Sequence, residues 1–193
     1  MKIYTASSWR NKYYENVVRR LKEEGFEVYD FRNAISTEGQ QLAFDWNQVD
    51  PNWEKWSIDD FLDVRRNSEL AANAFKSDLK GMREADVCML ILPCGKSSHL
   101  EAGYMRGLGK YLYIYMPELE RRELTYNIDS AIYKDLDVLI KDLKWREKHD
   151  KQREPPVCQS CGYKATEVLP GYYECHIIWC DNHMKEIKEV FDC

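Results

Sequence analysis

The amino-acid sequence predicts a doubly wound α/β domain with a parallel sheet, followed by a small C-terminal appendage. Three observations support this fold class. The chain opens with a β-α-β pattern, strand-like and helix-like segments go on alternating, and residues 86–92 (DVCMLIL) form a continuous apolar run. Such a run is typical of a central strand whose two faces are both covered by helices.

The opening unit consists of two short strands and one helix. Residues 2–6 predict a buried strand, and residues 26–31 predict a second one. Between them, residues 11–24 carry apolar side chains at helical spacing, and Gly25 ends the helix. A strand, a helix and a strand in this order build a parallel sheet.

The remaining elements follow the same alternation after a long irregular segment, residues 32–56. A helix is predicted to begin at Ser57, where Asp60 completes a capping box, and to reach about residue 85 with a break near Asn67. After the apolar strand, the predicted elements are a helix, a strand and a last helix, at residues 97–108, 110–116 and 136–148. We therefore expect a flavodoxin-like sheet, the open and doubly wound class.

A charged stretch followed by Pro155-Pro156 predicts the boundary between a main domain, residues 1–150, and an appendage, residues 151–193. The appendage contains two short-spaced pairs, C-x2-C and C-x2-H, on either side of a hairpin-like segment whose tip is Pro170-Gly171. This arrangement predicts a zinc ribbon with a structural Zn²⁺ in a closed tetrahedral site. The predicted ligands are Cys158, Cys161, Cys180 and His183.

Alternatives to this ligand set stay open. Cys175 and His176 are alternative third and fourth ligands, and free buried cysteines are a competing explanation of the whole pattern. A segment of about 30 residues is too short to fold without a bound metal or a similar cross-link, which favours the zinc site. The ribbon would dock on the main domain, mediate a homo-oligomer or contact a protein partner. No cofactor is expected for catalysis.

Charge and composition limit the classes of function that this protein can have. The net charge of −5 argues against a general nucleic-acid binder, which normally carries a basic face. The first residues lack the apolar region of a secretory signal, and the longest apolar run, residues 87–93, is too short to cross a bilayer. Seven cysteines, five of them after residue 157, fit reduced thiols and a metal site better than a disulfide framework. We therefore expect a cytoplasmic protein with no membrane partner.

The turn between the apolar strand and its helix carries the main functional signal. Gly95 would let the backbone approach a ligand closely, Lys96 adds a positive charge, and Ser97 and Ser98 place hydroxyls at a helix N-terminus. This geometry suits an anion such as a phosphate. Glu101 follows about one turn into the helix, where the helix dipole would favour its ionised form. The alternative is a plain capping box, formed by Ser98 and Glu101 without any chemistry.

Doubly wound sheets bind ligands beyond the carboxyl ends of their strands, near the point where the strand order reverses. Three segments should converge there: residues 7–9 after the first strand, the aromatic segment after the second, and residues 94–98. Ser7 and Trp9 are therefore candidate ligand contacts.

A resemblance to a known family is carried by three segments, KIYTASSW, FKSDLKGMREADVCMLILP and SSHLEAGY. In this order they resemble the nucleoside 2-deoxyribosyltransferase family and its nucleotide N-glycosidase relatives. The stretches FDWNQVDPNWEKW and LPCGKSSHLEAG are also similar to a bacterial and phage branch of that superfamily. The resemblance covers roughly residues 1–116 and implies an enzyme that acts on N-glycosidic bonds.

The resemblance also implies roles for three residues. Glu101, in the motif LEAG, would be the nucleophile that attacks the anomeric carbon of the sugar, with Tyr4 hydrogen-bonded to its carboxylate. Asp78 would help to hold and protonate the base. The chemistry suits these residue types, because a carboxylate captures an oxocarbenium-like sugar and a second acid protonates the departing base. From the residues alone, Tyr4 also fits a core position, and Asp78 fits a solvated neighbour of a buried stripe that includes Phe75.

The turn departs from the family in one respect. Many of these transferases carry a further acidic residue just before the nucleophile's helix, whereas this chain has Cys94-Gly95-Lys96-Ser97 there. Basic and hydroxyl residues in place of an acid favour a phosphorylated ligand, a nucleotide over a free nucleoside. His99, beside the site, would act as an acid or contact the phosphate, and a plain surface histidine is the alternative.

The aromatic segment allows two interpretations. One is a lid whose rings stack on the base of the ligand, which Trp46 fits best. The other is a hydrophobic cluster that fixes a long loop to the domain, which fits Trp53 and Trp56 best. A loop of this length inside a compact domain is usually functional.

Together these features predict an enzyme that cleaves or exchanges the N-glycosidic bond of a nucleoside 5′-monophosphate or a related nucleotide. Two alternatives stay open. One is cleavage of NAD, which also breaks a bond between a ribosyl group and a base. The other is a nucleotide-binding sensor or adaptor without turnover, which the missing turn acid favours.

Overall fold

The computed structural model describes residues 1–36, 39–119, 123–127 and 130–150, and further on the backbone of residues 166–169 and 172–174. Five strands form one parallel sheet: β1 (Lys2–Ala6), β2 (Glu27–Tyr29), β3 (Val87–Ile91), β4 (Tyr111–Tyr115) and β5 (Ser130–Tyr133). Their order across the sheet is β2-β1-β3-β4-β5. This is the flavodoxin-like order, so the predicted doubly wound fold is confirmed.

Among the described residues, five helices accompany the sheet: α1 (Tyr14–Glu23), α2 (Ile58–Asn67), α3 (Glu69–Glu84), α4 (Lys96–Gly107) and α5 (Leu136–Asp150). Helix α1 buries four side chains at helical spacing, as its sequence pattern predicts. At the start of α2, the Ser57 hydroxyl accepts from the backbone N–H of Asp60. The break predicted near Asn67 falls at Ser68, which ends α2 and caps α3.

The core has two halves, one on each face of the sheet, because side chains alternate along every strand. In β1, Ile3 points to the face covered by α1 and α5, whereas Tyr4 points to the face covered by α3 and α4. Strand β3 is buried at every position, which explains its continuous apolar sequence. Each large apolar side chain that is fully buried in these layers stabilises the fold by roughly 1.5–3 kcal/mol.

Strand β5 is an element of the main domain that the sequence did not indicate. It has four residues, and within the described sheet it pairs with β4 at the edge. An edge strand of this length needs no long apolar run, so it leaves little pattern to recognise. The other predicted strands and helices are present, with ends shifted by a few residues.

The C-terminal segment contributes a hairpin. Strands β6 (Thr166–Leu169) and β7 (Tyr172–Glu174) pair antiparallel, in agreement with the hairpin predicted between the two ligand pairs. The predicted zinc ligands and their alternatives lie outside the described residues, and they are Cys158, Cys161, Cys175, His176, Cys180 and His183. The zinc ribbon therefore stays a prediction. Within the described ranges, no helix combines the length and the apolar character that a membrane span requires.

Candidate active site

A cavity opens at the carboxyl edge of the sheet, beyond the ends of β1 and β3. These neighbouring strands mark the reversal of strand order, because β2 lies outside β1 on one side and β4 lies outside β3 on the other. The cavity has a volume of about 180 Å³. Its lining residues are Tyr4, Ser7, Trp9, Phe31, Leu42, Phe44, Asp45, Trp46, Asp78, Ser97 and Glu101. The three segments predicted to converge at this edge therefore do so.

Glu101 reaches the cavity because α4 begins earlier than a capping box would require. Gly95 is the N-cap of α4, and no side chain caps this end. Ser98 is buried inside the first turn, where its hydroxyl donates to the backbone carbonyl of Ser7 at 2.8 Å. The interpretation of Ser98 and Glu101 as a capping box is therefore wrong, and the Glu101 side chain lines the cavity instead.

The carboxyl group of Glu101 holds its proton unusually tightly. Its pKa is raised to about 8, first by burial and then by the negative charge of Asp78, while hydrogen bonding from the Tyr4 hydroxyl acts in the opposite direction. Burial and the charge of Asp78 therefore outweigh the support that the helix dipole was expected to give to ionised Glu101. Glu101 is the sixth residue of α4, and the dipole acts mainly within the first turn.

Two stacked tyrosines lie behind the acids. Tyr4 in β1 and Tyr29 in β2 are partners across the parallel strand pair, and their ring centroids are 5.1 Å apart. The Tyr4 ring is buried in the core, while its hydroxyl interacts with Glu101. Tyr4 therefore belongs to the core through its ring and to the site through its hydroxyl.

Asp78 comes from α3 and accepts a hydrogen bond from the Tyr29 hydroxyl at 2.9 Å. Burial raises the pKa of Asp78, and the bond from Tyr29 partly opposes this rise. The alternative of a solvated surface aspartate is wrong. Asp78 lines the cavity, whereas Phe75, which was assigned to the buried stripe, is 62% exposed.

Only part of the predicted anion cradle, which consists of Gly95, Lys96, Ser97 and Ser98, lies at the cavity. Ser97 lines the cavity, but Gly95, Lys96 and Ser98 do not. The Lys96 side chain lies in an exposed position, and the Ser98 hydroxyl is committed to a backbone carbonyl. A phosphate at this edge would therefore depend on Ser97 and the first turn of α4.

His99 does not line the cavity either. Its Nδ1 lies 2.9 Å from the carbonyl oxygen of Gly95, and its Nε2 lies 3.0 Å from the hydroxyl of Tyr126. Both ring nitrogens therefore have hydrogen-bond partners within the protein. This hydrogen-bonding pattern fits a histidine that fixes the local structure.

Aromatic rings form one wall of the cavity. Trp9 donates its Nε1–H to the carbonyl of Phe44 at 2.9 Å and so ties the irregular segment to the turn after β1. Trp46 lines the cavity and also packs into a cluster of aromatic rings. This cluster consists of Phe44, Trp53, Trp56 and Phe61. Trp53 and Trp56 do not line the cavity, so they fit the cluster interpretation, and Trp46 is placed where stacking is feasible.

Asp45 is a cavity residue that the sequence analysis did not select, together with Phe31, Leu42 and Phe44. A short 3₁₀ turn holds it, since Oδ1 accepts from the backbone N–H of Asn47 at 2.9 Å and the Gln48 side chain accepts from the Asp45 N–H at 3.0 Å. Its place between two aromatics, in a segment expected over the site, is the signal that would have indicated it.

The cavity is acidic. Asp45, Asp78 and Glu101 line it, and among the described residues no lysine or arginine does. Within the same ranges, no group of three or more His, Cys, Asp or Glu side chains is arranged to hold a metal ion. Carboxyl groups in such surroundings suit general acid, general base or nucleophilic chemistry that passes through a positively charged state.

This chain is similar to known proteins in structure rather than in sequence. No protein-family model matches the chain, and no curated protein matches it by sequence. Among solved structures, it is similar to a 2-deoxyribosyltransferase from Bacillus psychrosaccharolyticus, with a TM-score of 0.50 and 22% identity over 72% of this chain and 90% of that one. It is also similar to the CMP N-glycosidase of Clostridium botulinum, with a TM-score of 0.42 and 16% identity over 75% of this chain and 99% of that one. The first similarity shows that the chain shares the fold of that 2-deoxyribosyltransferase.

Proposed function

We propose that this protein cleaves or exchanges the N-glycosidic bond of a nucleoside or its 5′-phosphate, with Glu101 as the nucleophile. One observation carries the proposal. Two carboxyl groups, Glu101 and Asp78, each interact with a tyrosine hydroxyl in a cavity with an aromatic wall, at the reversal point of the sheet. Loss of the base leaves an oxocarbenium-like sugar, which a carboxylate stabilises or captures.

The proposed first step forms one bond and breaks another. An ionised oxygen of Glu101 attacks the anomeric carbon while the bond from that carbon to the base nitrogen breaks. The bonding electrons leave with the base, and Asp78 gives it a proton, so that a neutral base departs. The sugar remains as an ester of Glu101. Water or a second base then attacks the same carbon, frees the Glu101 carboxylate and returns a proton to Asp78.

The raised pKa values of the two carboxyls keep one proton in the site, which Glu101 holds at rest and which passes to Asp78 in the reactive form. Because the charge of Asp78 raises the pKa of Glu101, the two acids titrate as a pair, and between its two pKa values the pair holds one proton. The reactive form has that proton on Asp78 and the charge on Glu101. Tyr4 favours this form, because its hydroxyl hydrogen-bonds to the ionised carboxylate of Glu101.

Two further observations bear on the substrate. The fold is shared with a 2-deoxyribosyltransferase, which supports base exchange as one outcome of the second step. Ser97 and the first turn of α4 are the part of the predicted anion cradle that lies at the cavity. We therefore include both free nucleosides and 5′-monophosphates in the proposal.

The test is an incubation of the purified full chain with 2′-deoxynucleosides, ribonucleosides, their 5′-monophosphates and NAD, with and without a second free base. Chromatography measures the released or exchanged base. We expect Glu101→Gln to lower base release by on the order of 10³-fold or more while ligand binding is kept. Glu69→Gln, a matched change at an exposed glutamate of α3, should keep the wild-type rate.

Full activity in Glu101→Gln would contradict the proposal. Release of nicotinamide alone would instead describe an NAD-cleaving enzyme. Tight nucleotide binding with no base liberated over hours would describe a sensor or adaptor.

A further inference from the structure

We propose that Tyr29 is a positioning residue for this reaction: its hydroxyl holds Asp78 so that the other carboxyl oxygen delivers its proton to the leaving base. The inference rests on the proposed function and deepens it. Tyr29 does not line the cavity itself, so it acts through Asp78.

The Tyr29 hydroxyl lies at the centre of a short chain of hydrogen bonds. It donates to Oδ1 of Asp78 at 2.9 Å, and it therefore accepts from the Ser77 hydroxyl at 2.8 Å. A carboxyl group that accepts at one oxygen carries its own proton on the other. The contact thus fixes the orientation of Asp78 and assigns the proton to Oδ2.

The Tyr29 ring has little freedom to move. Tyr4 stacks on it with an angle of 13° between the ring planes. Gly81 in α3 meets the same ring, since a Cβ at this position would lie 2.7 Å from Cδ2 of Tyr29. Gly81 is three residues after Asp78 and therefore lies on the same side of the helix. A glycine at this position lets α3 come close enough to β2 for the hydroxyl to reach Asp78.

Three titratable groups face Asp78 from the elements packed around it: Tyr29 in β2, Tyr4 in β1 and Glu101 in α4. Among the described residues, Tyr29 is the one that donates a hydrogen bond to Asp78. This bond lowers the pKa of Asp78, against the effect of burial. Without the hydroxyl, Asp78 becomes a weaker acid, and its side chain is free to rotate.

Two variants test the inference. Tyr29→Phe keeps the ring and its stacking but removes the hydroxyl, while Gly81→Ala pushes the ring away from α3. For Tyr29→Phe we expect kcat to fall on the order of tenfold with KM little changed, because the lost contact acts on the proton donor and not on the ligand. Because Asp78 then keeps its proton to higher pH, the profile of kcat/KM against pH should move to higher pH. Matched controls are Tyr104→Phe, at an exposed tyrosine of α4, and Gly107→Ala, where a Cβ meets nothing within 4 Å.

A double variant shows whether both changes act through the same hydroxyl. If they do, the loss of kcat in the combined Tyr29→Phe and Gly81→Ala variant is smaller than the product of the two single losses. Fully multiplicative losses would mean that the two residues act separately, which would overturn the account of Gly81.

A second measurement does not need turnover. Carbon-13 NMR of labelled aspartate follows the titration of the Asp78 carboxyl, and Asp78→Asn assigns its signal. We expect this titration to move to higher pH in Tyr29→Phe. If the wild-type chain releases no base but the titration moves, the proposed function fails and the contact stands. An unchanged titration, or a lower kcat with an unchanged pH profile, would give Tyr29 a packing role and overturn the inference.

Discussion

At the scale of single residues, the main feature of the site is that two carboxyl groups, Glu101 and Asp78, influence each other's ionisation. Glu101 and Asp78 line one partly buried cavity, and the charge of Asp78 raises the pKa of Glu101. Each acid has its own tyrosine, since Tyr4 interacts with Glu101 and Tyr29 donates to Asp78. Different partners are how proteins give two similar carboxyls different roles.

This shared proton leads to a prediction about rate and pH. We expect kcat/KM for base release to pass through a maximum and to fall about tenfold per pH unit above pH ~8, where the pair loses its last proton. The sign follows from the roles, because the fully deprotonated pair has a nucleophile but no acid. Initial rates across the pH range measure the profile.

The control for this prediction is Asp78→Asn. Its residual rate should rise with pH through the ionisation of Glu101, because no acid is left to lose. A wild-type rate that also rises through pH 8 and then stays level would contradict the acid role of Asp78.

Sequence reasoning found part of this site. The family resemblance indicated Glu101, Asp78 and Tyr4, and the structure places all three at one cavity. The position of Tyr29 beside Tyr4 could in principle have been predicted. Each is the third residue of its strand, and the parallel register brings the two side by side. The N-cap of α4, by contrast, could not be predicted from the sequence. A glycine N-cap and a serine in the first turn look in sequence like a capping box shifted by three residues.

At the scale of elements, the segment between β2 and α2 shows why irregular structure resists prediction. Its short 3₁₀ turns depend on local contacts, such as the bond from Trp56 Nε1–H to the Asp50 carboxylate at 2.7 Å. Its position depends on the long-range bond from Trp9 to Phe44 and on the ring cluster around Trp46. Neither kind of contact has a period that a sequence pattern reveals, so the sequence placed this segment at the site without showing how its side chains are held there.

The C-terminal element carries its own prediction. We expect the full chain, purified without chelators, to contain about one zinc ion, because two short-spaced ligand pairs flank a hairpin. Metal analysis by mass spectrometry measures the content, and Cys158→Ser should lower it. Cys88→Ser, at a cysteine buried in the main domain, is the matched control and should leave the zinc content unchanged. Absence of zinc from a folded, chelator-free preparation would favour the free-cysteine explanation.

At the scale of the whole molecule, the strand order decides where chemistry can occur. The alternation of strands and helices predicted the fold class, and the order β2-β1-β3-β4-β5 puts β1 and β3 side by side at the reversal point. Glu101 follows β3, and Ser7 follows β1, so residues more than ninety positions apart meet at one edge. Sequence alone implied this meeting only through the general rule for such sheets. The edge strand β5 gave no comparable signal.

The free energy of unfolding of the whole domain should depend on pH through the same buried acid, Glu101. The pKa of Glu101 is raised from 4.5 to about 8 in the folded chain, so between these pH values the folded state binds a proton that the unfolded state has released. This contribution to stability is complete below pH ~4.5 and is lost as the pH rises through about 8. Over that window we expect the free energy of unfolding to fall by on the order of 4 kcal/mol through this group.

Glu101→Gln removes this titration. Its melting temperature relative to the wild type should therefore rise steadily from pH ~5 to pH ~9, because a neutral amide stays uncharged where Glu101 must be buried as an anion. Thermal unfolding of both proteins at several pH values measures the difference, with Glu69→Gln as a control that keeps the wild-type pH dependence. A difference in melting temperature that stays constant with pH would mean that Glu101 ionises as easily in the folded chain as in the unfolded one. The shared proton of the proposed mechanism would then have no physical basis.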